Sequence, residues 1–280
     1  PYLRTETLAY TERRLGSLQL AGEHTLPVED WGFLRAPKVD WTLAKSNADS
    51  NQPDKRQFGS EWVPGRTAGP ITFPPTHRGY KPAANVNLGN LQRIWQVIEE
   101  DSEQYNVNLE LPFVQWNEME GSVKLGLFRD DVERKFNQDT FSNFRDNSSF
   151  AGPWEQYWSS TFRFEDHPIS ASDFDVDYVG TQDIEASYVM LDLPVTSWLT
   201  VVGGVRFEDT SIGIVNDPES DAIWFPPGTN RPTELRPGDA DVAFSDDSTL
   251  PAVSLIWTPL DQVTFRAAYS ETLARQTFKE

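Results

Sequence analysis

The chain has 280 residues, a formal net charge of −19, no cysteine, 10 Trp, 17 Phe and 8 Tyr, enough for one large domain or two small ones. The acidic balance argues against nucleic acid, whose phosphates demand Lys and Arg, and the lack of Cys excludes a disulfide scaffold, a thiolate metal site and a Cys nucleophile. Mean hydropathy is −0.53 and no run reaches the ~20 apolar residues of a membrane helix, which leaves a barrel of alternating strands as the one membrane class still open.

Taken in chain order, alternation of apolar and polar residues marks four hairpins. The first joins a strand with Leu18 and Leu20 on one side to a strand with Val39, Trp41 and Leu43, through a turn around Pro27 to Leu34. The second joins Tyr105–Leu111, where Tyr105, Val107, Leu109 and Leu111 alternate with Asn106, Asn108 and Glu110, to a strand carrying Val123, Leu125 and Leu127. Its turn spans Pro112 to Gly121. The third joins Ser187–Leu193 to Leu199–Glu208 through Pro194 to Ser197; Leu199, Val201, Val205 and Phe207 face one way, Thr200, Gly204, Arg206 and Glu208 the other. The fourth joins Ala252–Trp257 to Val263–Tyr269 through Pro259 to Asp261. A period of two means a strand with one greasy and one wet face, and Pro at the turns avoids a missing ladder donor.

Between the hairpins lie stretches rich in Pro, Gly, Asn, Asp and Ser, near 48–90, 137–183 and 209–247. They read as long loops. The short turns thus fall at one end and the long loops at the other, as in barrels with short periplasmic turns and long external loops. Trp31, Phe33, Phe113, Trp116, Trp198 and Trp257 lie near the short turns, while Phe128, Phe207 and Tyr269 lie toward the far strand ends. Two such groups suit the two lipid–water boundaries. The expected fold is therefore all-β: an antiparallel up-and-down meander of about eight strands over residues 1–280, part of a large transmembrane β-barrel. Its apolar set should line one convex face, with Lys124, Arg206, Arg266 and Asn108 on the concave one.

The last segments carry a resemblance. Tyr188 to Glu208, "YVMLDLPVTSWLTVVGGVRFE", and Leu250 to Glu280, "LPAVSLIWTPLDQVTFRAAYSETLARQTFKE", resemble consecutive hairpins of TonB-dependent outer-membrane receptors. Thr272 to Phe278, "TLARQTF", is similar to that family's threonine-leucine-alanine-arginine-proline run, with Gln276 where Pro is common. The resemblance implies a plugged transporter barrel of roughly 22 strands in the cell outer membrane that captures a scarce nutrient and is energised through TonB, with no enzymatic step and no cofactor. On this reading the chain is an internal piece, and TonB acts through an N-terminal part outside it. The implied partners are outer-membrane lipid and a small-molecule or oligosaccharide ligand such as a ferric siderophore or glycan. A plug-free diffusion porin and a soluble all-β carbohydrate-binding module remain as alternatives.

No catalytic constellation emerges. His24, His77 and His167 lack metal-ligand spacing, and no phosphate loop, nucleophile elbow or zinc-protease motif is present. Asp173, Asp175 and Asp177 stand at the first, third and fifth positions of a calcium loop, but Tyr178 replaces its Gly and Ile184 its terminal Glu, so this is not an EF-hand. The candidate ligand-binding residues are aromatics on the long loops: Trp154, Tyr157 and Trp158 in one, Trp224 and Phe225 in another. Exposed rings there can stack on sugars or flat chelates, or pack the loops together.

Overall fold

The computed structural model of the chain describes residues 2–27, 32–79, 91–143, 149–150, 169–172, 175–219, 222–275 and 278. Among the described residues one sheet has twelve strands, of which nine long ones build its wall: β1 (Tyr2–Leu8), β2 (Glu12–Thr25), β3 (Lys38–Val63), β4 (Leu91–Val114), β5 (Glu120–Ser142), β6 (Val176–Thr196), β7 (Leu199–Pro218), β8 (Val242–Leu260) and β9 (Val263–Ser270); the short pieces Thr76–Gly79, Ser149–Phe150 and Ser170–Ala171 extend it at the far end. Each pairs antiparallel with its sequence neighbour in the order β9-β8-β7-β6-β5-β4-β3, and β1 and β2 both lie along the far edge of β3. The expected all-β meander is thus observed, and no helix occurs among the described residues.

Side-chain alternation and register together sort the wall into two faces. Residues opposite one another in a ladder share a face. One such row reads Val39, Leu109, Leu125, Val189, Val205 and Pro251 across β3 to β8. The next reads Trp41, Val107, Leu127, Ser187, Phe207 and Thr249. Toward the short turns the same face carries Leu193, Val201, Leu255 and Ala267, then Leu199, Trp257 and Phe265. These side chains do not pack into a dry core. Leu127 is 64% exposed, Phe265 53% and Val107 45%. An apolar band that crosses every strand and stays uncovered is a surface whose solvent is not water. On β7 it runs from Leu199 to Phe207, close to the ~9–11 residues that a tilted strand needs to cross a bilayer.

The band ends abruptly. One row beyond Phe207 the same face carries Arg129, Glu185 and Asp209 beside Leu43 and Tyr105, and the next row carries Lys45, Glu103, Asp131 and Asp183. Lys45 meets Glu103 at 2.7 Å, and Arg129 meets Asp131 and Glu185, each at 2.9 Å. Above this line the exposed apolar rows stop, yet the strands continue. β3 reaches Val63, β5 reaches Ser142, β6 starts at Val176, β7 reaches Pro218 and β8 starts at Val242. The loops expected at 48–90, 137–183 and 209–247 are accordingly shorter. Segments such as Ala44–Asn51 lack alternation because neither face is apolar. They are strands because neighbouring strands complete their ladders on both sides.

Phe128 also departs from expectation. It pairs with Asn106 and Ala186 on the polar face, where the Arg206 guanidinium lies 5.0 Å over its ring. It is no part of an outer aromatic belt, since one step of register sends a side chain to the other side. Trp31 lies outside the described residues. Near the short turns, Trp257 stacks on Phe265 at 5.2 Å, and Phe33, Trp116 and Trp198 are exposed.

Two features fix the register. At the short-turn end, the Asn117 side-chain amide donates to the Pro194 and Val195 carbonyls at 3.1 and 3.0 Å, and Gln115 donates to Pro194 at 3.2 Å. These bonds tie the β4–β5 turn to the end of β6. At the other end β3 carries a bulge between Gln52 and Lys55. Pro53 has no N–H, and Asp54 adopts φ 54°, a region open to Asp at modest cost. Opposite it, the edge strand breaks between Leu8 and Glu12. Asp54 accepts from Arg93 Nε and Nη2 at 2.7 and 2.8 Å and from Arg56 Nε at 3.0 Å. These hydrogen bonds, Arg93's first, hold its carboxyl below the usual carboxylate range.

Two predictions follow from this wall. Asp54→Asn keeps the backbone conformation and removes the charge, so it should cost about 1–2 kcal/mol of local stability. A carboxyl held low in the folded state stabilises above its unfolded value near 4 and loses that contribution as pH falls below it. Hydrogen exchange at residues 52–56 should therefore lose protection between about pH 4 and pH 2 in the wild type and stay flat in Asp54→Asn. Separately, Leu125→Arg on the apolar face should cost roughly 2–4 kcal/mol when the full-length protein folds into lipid vesicles. Lys124→Ala on the polar face should cost less than 1 kcal/mol; equal costs on the two faces would contradict the sidedness.

Candidate functional site

The face opposite the apolar band is a surface of paired polar groups. Asp40, Asn108, Gly126, Tyr188, Arg206 and Leu250 form one row across it. The Asn108 amide donates to Asp40 Oδ1 at 2.6 Å, and the Tyr188 hydroxyl donates to Asn108 Oδ1 at 2.9 Å. The Tyr188 ring lies across Gly126, where a Cβ would stand 2.0 Å from its Cε1. Glycine here is a packing requirement: it lets a ring lie flat on the wall. A second row sets Glu110 against Lys124 at 3.5 Å. Farther from the short turns, Arg206 meets the buried Glu208 at 2.8 Å, and Arg134 meets Glu100 at 2.6 Å.

The wall residues named from sequence fall on this face. Lys124, Glu110 and Arg206 are paired within it, and Arg266 lies exposed on the same side, opposite Ile256. Beside them Gly204, Ala252, Ser254 and Ala268, with Met190 and Leu250, border a shallow apolar depression of about 280 Å³. The arrangement can line an aqueous passage. Lys124, Arg206 and Arg134 on this wall are each spent on a neighbouring carboxylate. The Asp40–Asn108–Tyr188 chain was not foreseen. Its sequence signal is Gly126, which stands between Lys124 and Phe128 in an otherwise bulky strand.

Of the loop aromatics, Trp154, Tyr157 and Trp158 lie outside the described residues. Trp224 and Phe225 lie in the segment between β7 and β8. Ile223–Trp224 pairs with Thr233–Glu234 in a small two-stranded sheet, closed by a Leu235 N–H donating to the Ala222 carbonyl at 2.8 Å. Ala222 and Leu235 are buried beneath it. Trp224 is half-buried on this hairpin and Phe225 is 48% exposed. The loop is thus tied down by buried residues and leaves Phe225 exposed.

Asp173 lies outside the described residues. Asp175 accepts from the Thr140 N–H at 2.5 Å, and Asp177 accepts from the Gln138 N–H at 2.9 Å and from the Asn137 amide at 2.7 Å. Burial raises both carboxyls above their ordinary range. They serve as caps that bind backbone donors at the strand end. Among the described residues no group of three or more His, Asp or Glu is placed to hold a metal.

Comparison with known proteins adds one family. The model of the TonB-dependent receptor-like β-barrel matches residues 30–280. No curated protein and no solved structure matches the chain.

The packing at Gly126 is testable. Gly126→Ala should drive the Tyr188 ring off the wall, break its bond to Asn108 and cost about 1–3 kcal/mol in unfolding experiments on the detergent-solubilised protein. In a Tyr188→Ala background the same change should cost less, since only Asn108 Oδ1, 2.6 Å from the added Cβ, is then left to move.

Proposed function

The chain belongs to the family of TonB-dependent receptor-like β-barrels, and from that premise we propose that residues 1–280 form one partial barrel domain of an outer-membrane receptor that takes up a scarce nutrient. TonB-dependent receptors are transport receptors of the outer membrane, not enzymes. The observation that carries the reading is the uncovered apolar band opposite a self-paired polar wall. Lipid is the solvent for the first and water for the second. The sheet also leaves the outer edges of β2 and β9 without an in-plane partner among the described residues. Hydrocarbon does not tolerate open edges, so these edges pair with further strands in a larger closed wall.

In this reading outer-membrane lipid contacts the apolar band. The long-loop end faces outward and meets a ferric siderophore, a glycan or a ligand of similar size. Energy arrives through TonB acting on a part of the receptor outside these residues. Trp154, Tyr157, Trp158, Trp224 and Phe225 supply stacking surface for the ligand. Support for that role is the half-exposed aromatic pair Trp224–Phe225 on a loop tied down by buried residues.

Uptake of labelled ferric chelates and oligosaccharides by cells bearing the full-length receptor tests the proposal. Deletion of TonB should abolish uptake and leave surface binding intact. Uptake that persists without TonB would identify a diffusion pore, and extraction of the protein without detergent would identify a soluble module. For a ligand found this way, Trp154→Ala combined with Trp224→Ala should weaken binding at least tenfold by calorimetry, on the scale of about 1–3 kcal/mol per stacked ring. Unchanged affinity with normal assembly would assign these rings to loop packing.

A further inference from the structure

The chain leaves the sheet at the end of β9 and does not follow β8 outward. The last ladder bond runs from the Glu271 N–H to the Pro251 carbonyl at 3.0 Å. Beyond that bond, two described side chains, Arg275 and Phe278, lie against the polar wall. Arg275 pairs with Glu208 of β7 and donates from Nε to Thr210 Oγ1 at 3.4 Å. Phe278 lies two strands away from β8, against Tyr178 of β6 at 6.5 Å between rings, and packs on the buried Ile98–Phe136–Tyr178 cluster. The Arg134 guanidinium stands 5.4 Å over its ring. Gly180 provides the seat: a Cβ there would come within 2.5 Å of Phe278 Cε1. Glu208, Thr210, Gly180, Tyr178 and Arg134 all occupy the polar face, as their register shows.

The anchor is built for release. Glu208 is 3% exposed, and a buried carboxylate stripped of its only partner is costly. It has two partners, however, on different oxygens: Arg206 on Oε2 and Arg275 on Oε1. When Arg275 departs, Arg206 still neutralises the carboxylate. Phe278 is only half-buried, so undocking exposes a modest apolar area.

We propose that Glu271–Arg275 and Phe278 act as a releasable strap on the inner wall, latched by Arg275 to Glu208 and seated by Phe278 on Gly180, which narrows the passage when docked and widens it when released. This rests on the transport reading above. The strap's covered residues give the test. Thr210 is 4% exposed beneath Arg275, whereas Ser211 is exposed on the opposite face. In the full-length receptor on intact cells, Thr210→Cys and Ser211→Cys are labelled separately with a membrane-impermeant maleimide. Cys at 211 should react fast in every background. Cys at 210 should react slowly in the wild-type background, at least tenfold faster with Arg275→Ala, and near the wild-type rate with Arg275→Lys. Equal rates at position 210 with Arg at 275 and with Ala would overturn the latch. A rate at 210 as fast as at 211 with Arg275 intact would overturn docking itself. Failure of the receptor reading is separately visible: the protein would then be missing from the outer-membrane fraction.

Discussion

A strand sends its side chains to two sides and its hydrogen bonds to its neighbours, so a sheet can meet hydrocarbon on one face only if its ladders satisfy every backbone group within the lipid-facing zone. This constraint organises the whole molecule. It requires consecutive strands in antiparallel pairing across the apolar band, which β3 to β9 supply, with register shifts at Gln52–Lys55, Pro194–Thr196 and Trp257–Leu260. It requires the apolar residues to fall at alternate positions, in phase across every strand, as in the row from Val39 to Pro251. A slip of one residue anywhere would put Lys124 or Arg206 in lipid. The Asn117 and Gln115 amides at the short-turn end and the Asp54 bulge near the far end act as register locks for this reason.

Water, not lipid, dictates the opposite face, and there the charges are spent on each other. Lys124 with Glu110, Arg134 with Glu100, and Arg206 with Glu208 pair much of the wall's positive charge within the wall itself. In the transport reading proposed above, such a wall lines the passage, and selectivity is assigned to the outer loops and to what crosses it. In that reading the strap after β9 is one thing that crosses it. Its anchor on a doubly paired carboxylate differs from the simple pairs around it, because one partner can leave without stranding a charge.

The membrane-level part of this fold was legible in the sequence, because there the two solvents impose alternation: Leu199 to Phe207 and Tyr105 to Leu111 announce both strand and face. Above the band that signal vanishes. Ala48–Asn51 and Asp209–Pro218 are strands held by neighbouring strands rather than by an alternating pattern of their own, and they read as loops. Phe128 was misplaced for a related reason: an aromatic near a strand end fits either face, and only register sends it inward against Arg206. The Asp40–Asn108–Tyr188 chain joins residues from three strands, and the contact between Arg275 and Glu208 spans 67 positions. No local pattern encodes either. The ring pair Trp224 and Phe225 was visible as composition, while the burial of Ala222 and Leu235 was not.

The most direct measurement is a spin-label scan of β7 from position 199 to 213 in the full-length receptor in lipid, comparing collision with oxygen and with a water-soluble nickel chelate. The expected result is a period of two up to Phe207, with odd positions accessible to oxygen and even positions to the chelate, followed by loss of oxygen accessibility beyond Asp209. Odd positions shielded from both reagents, or a profile without period, would show that the apolar face is covered by protein, and the barrel-wall account would fail.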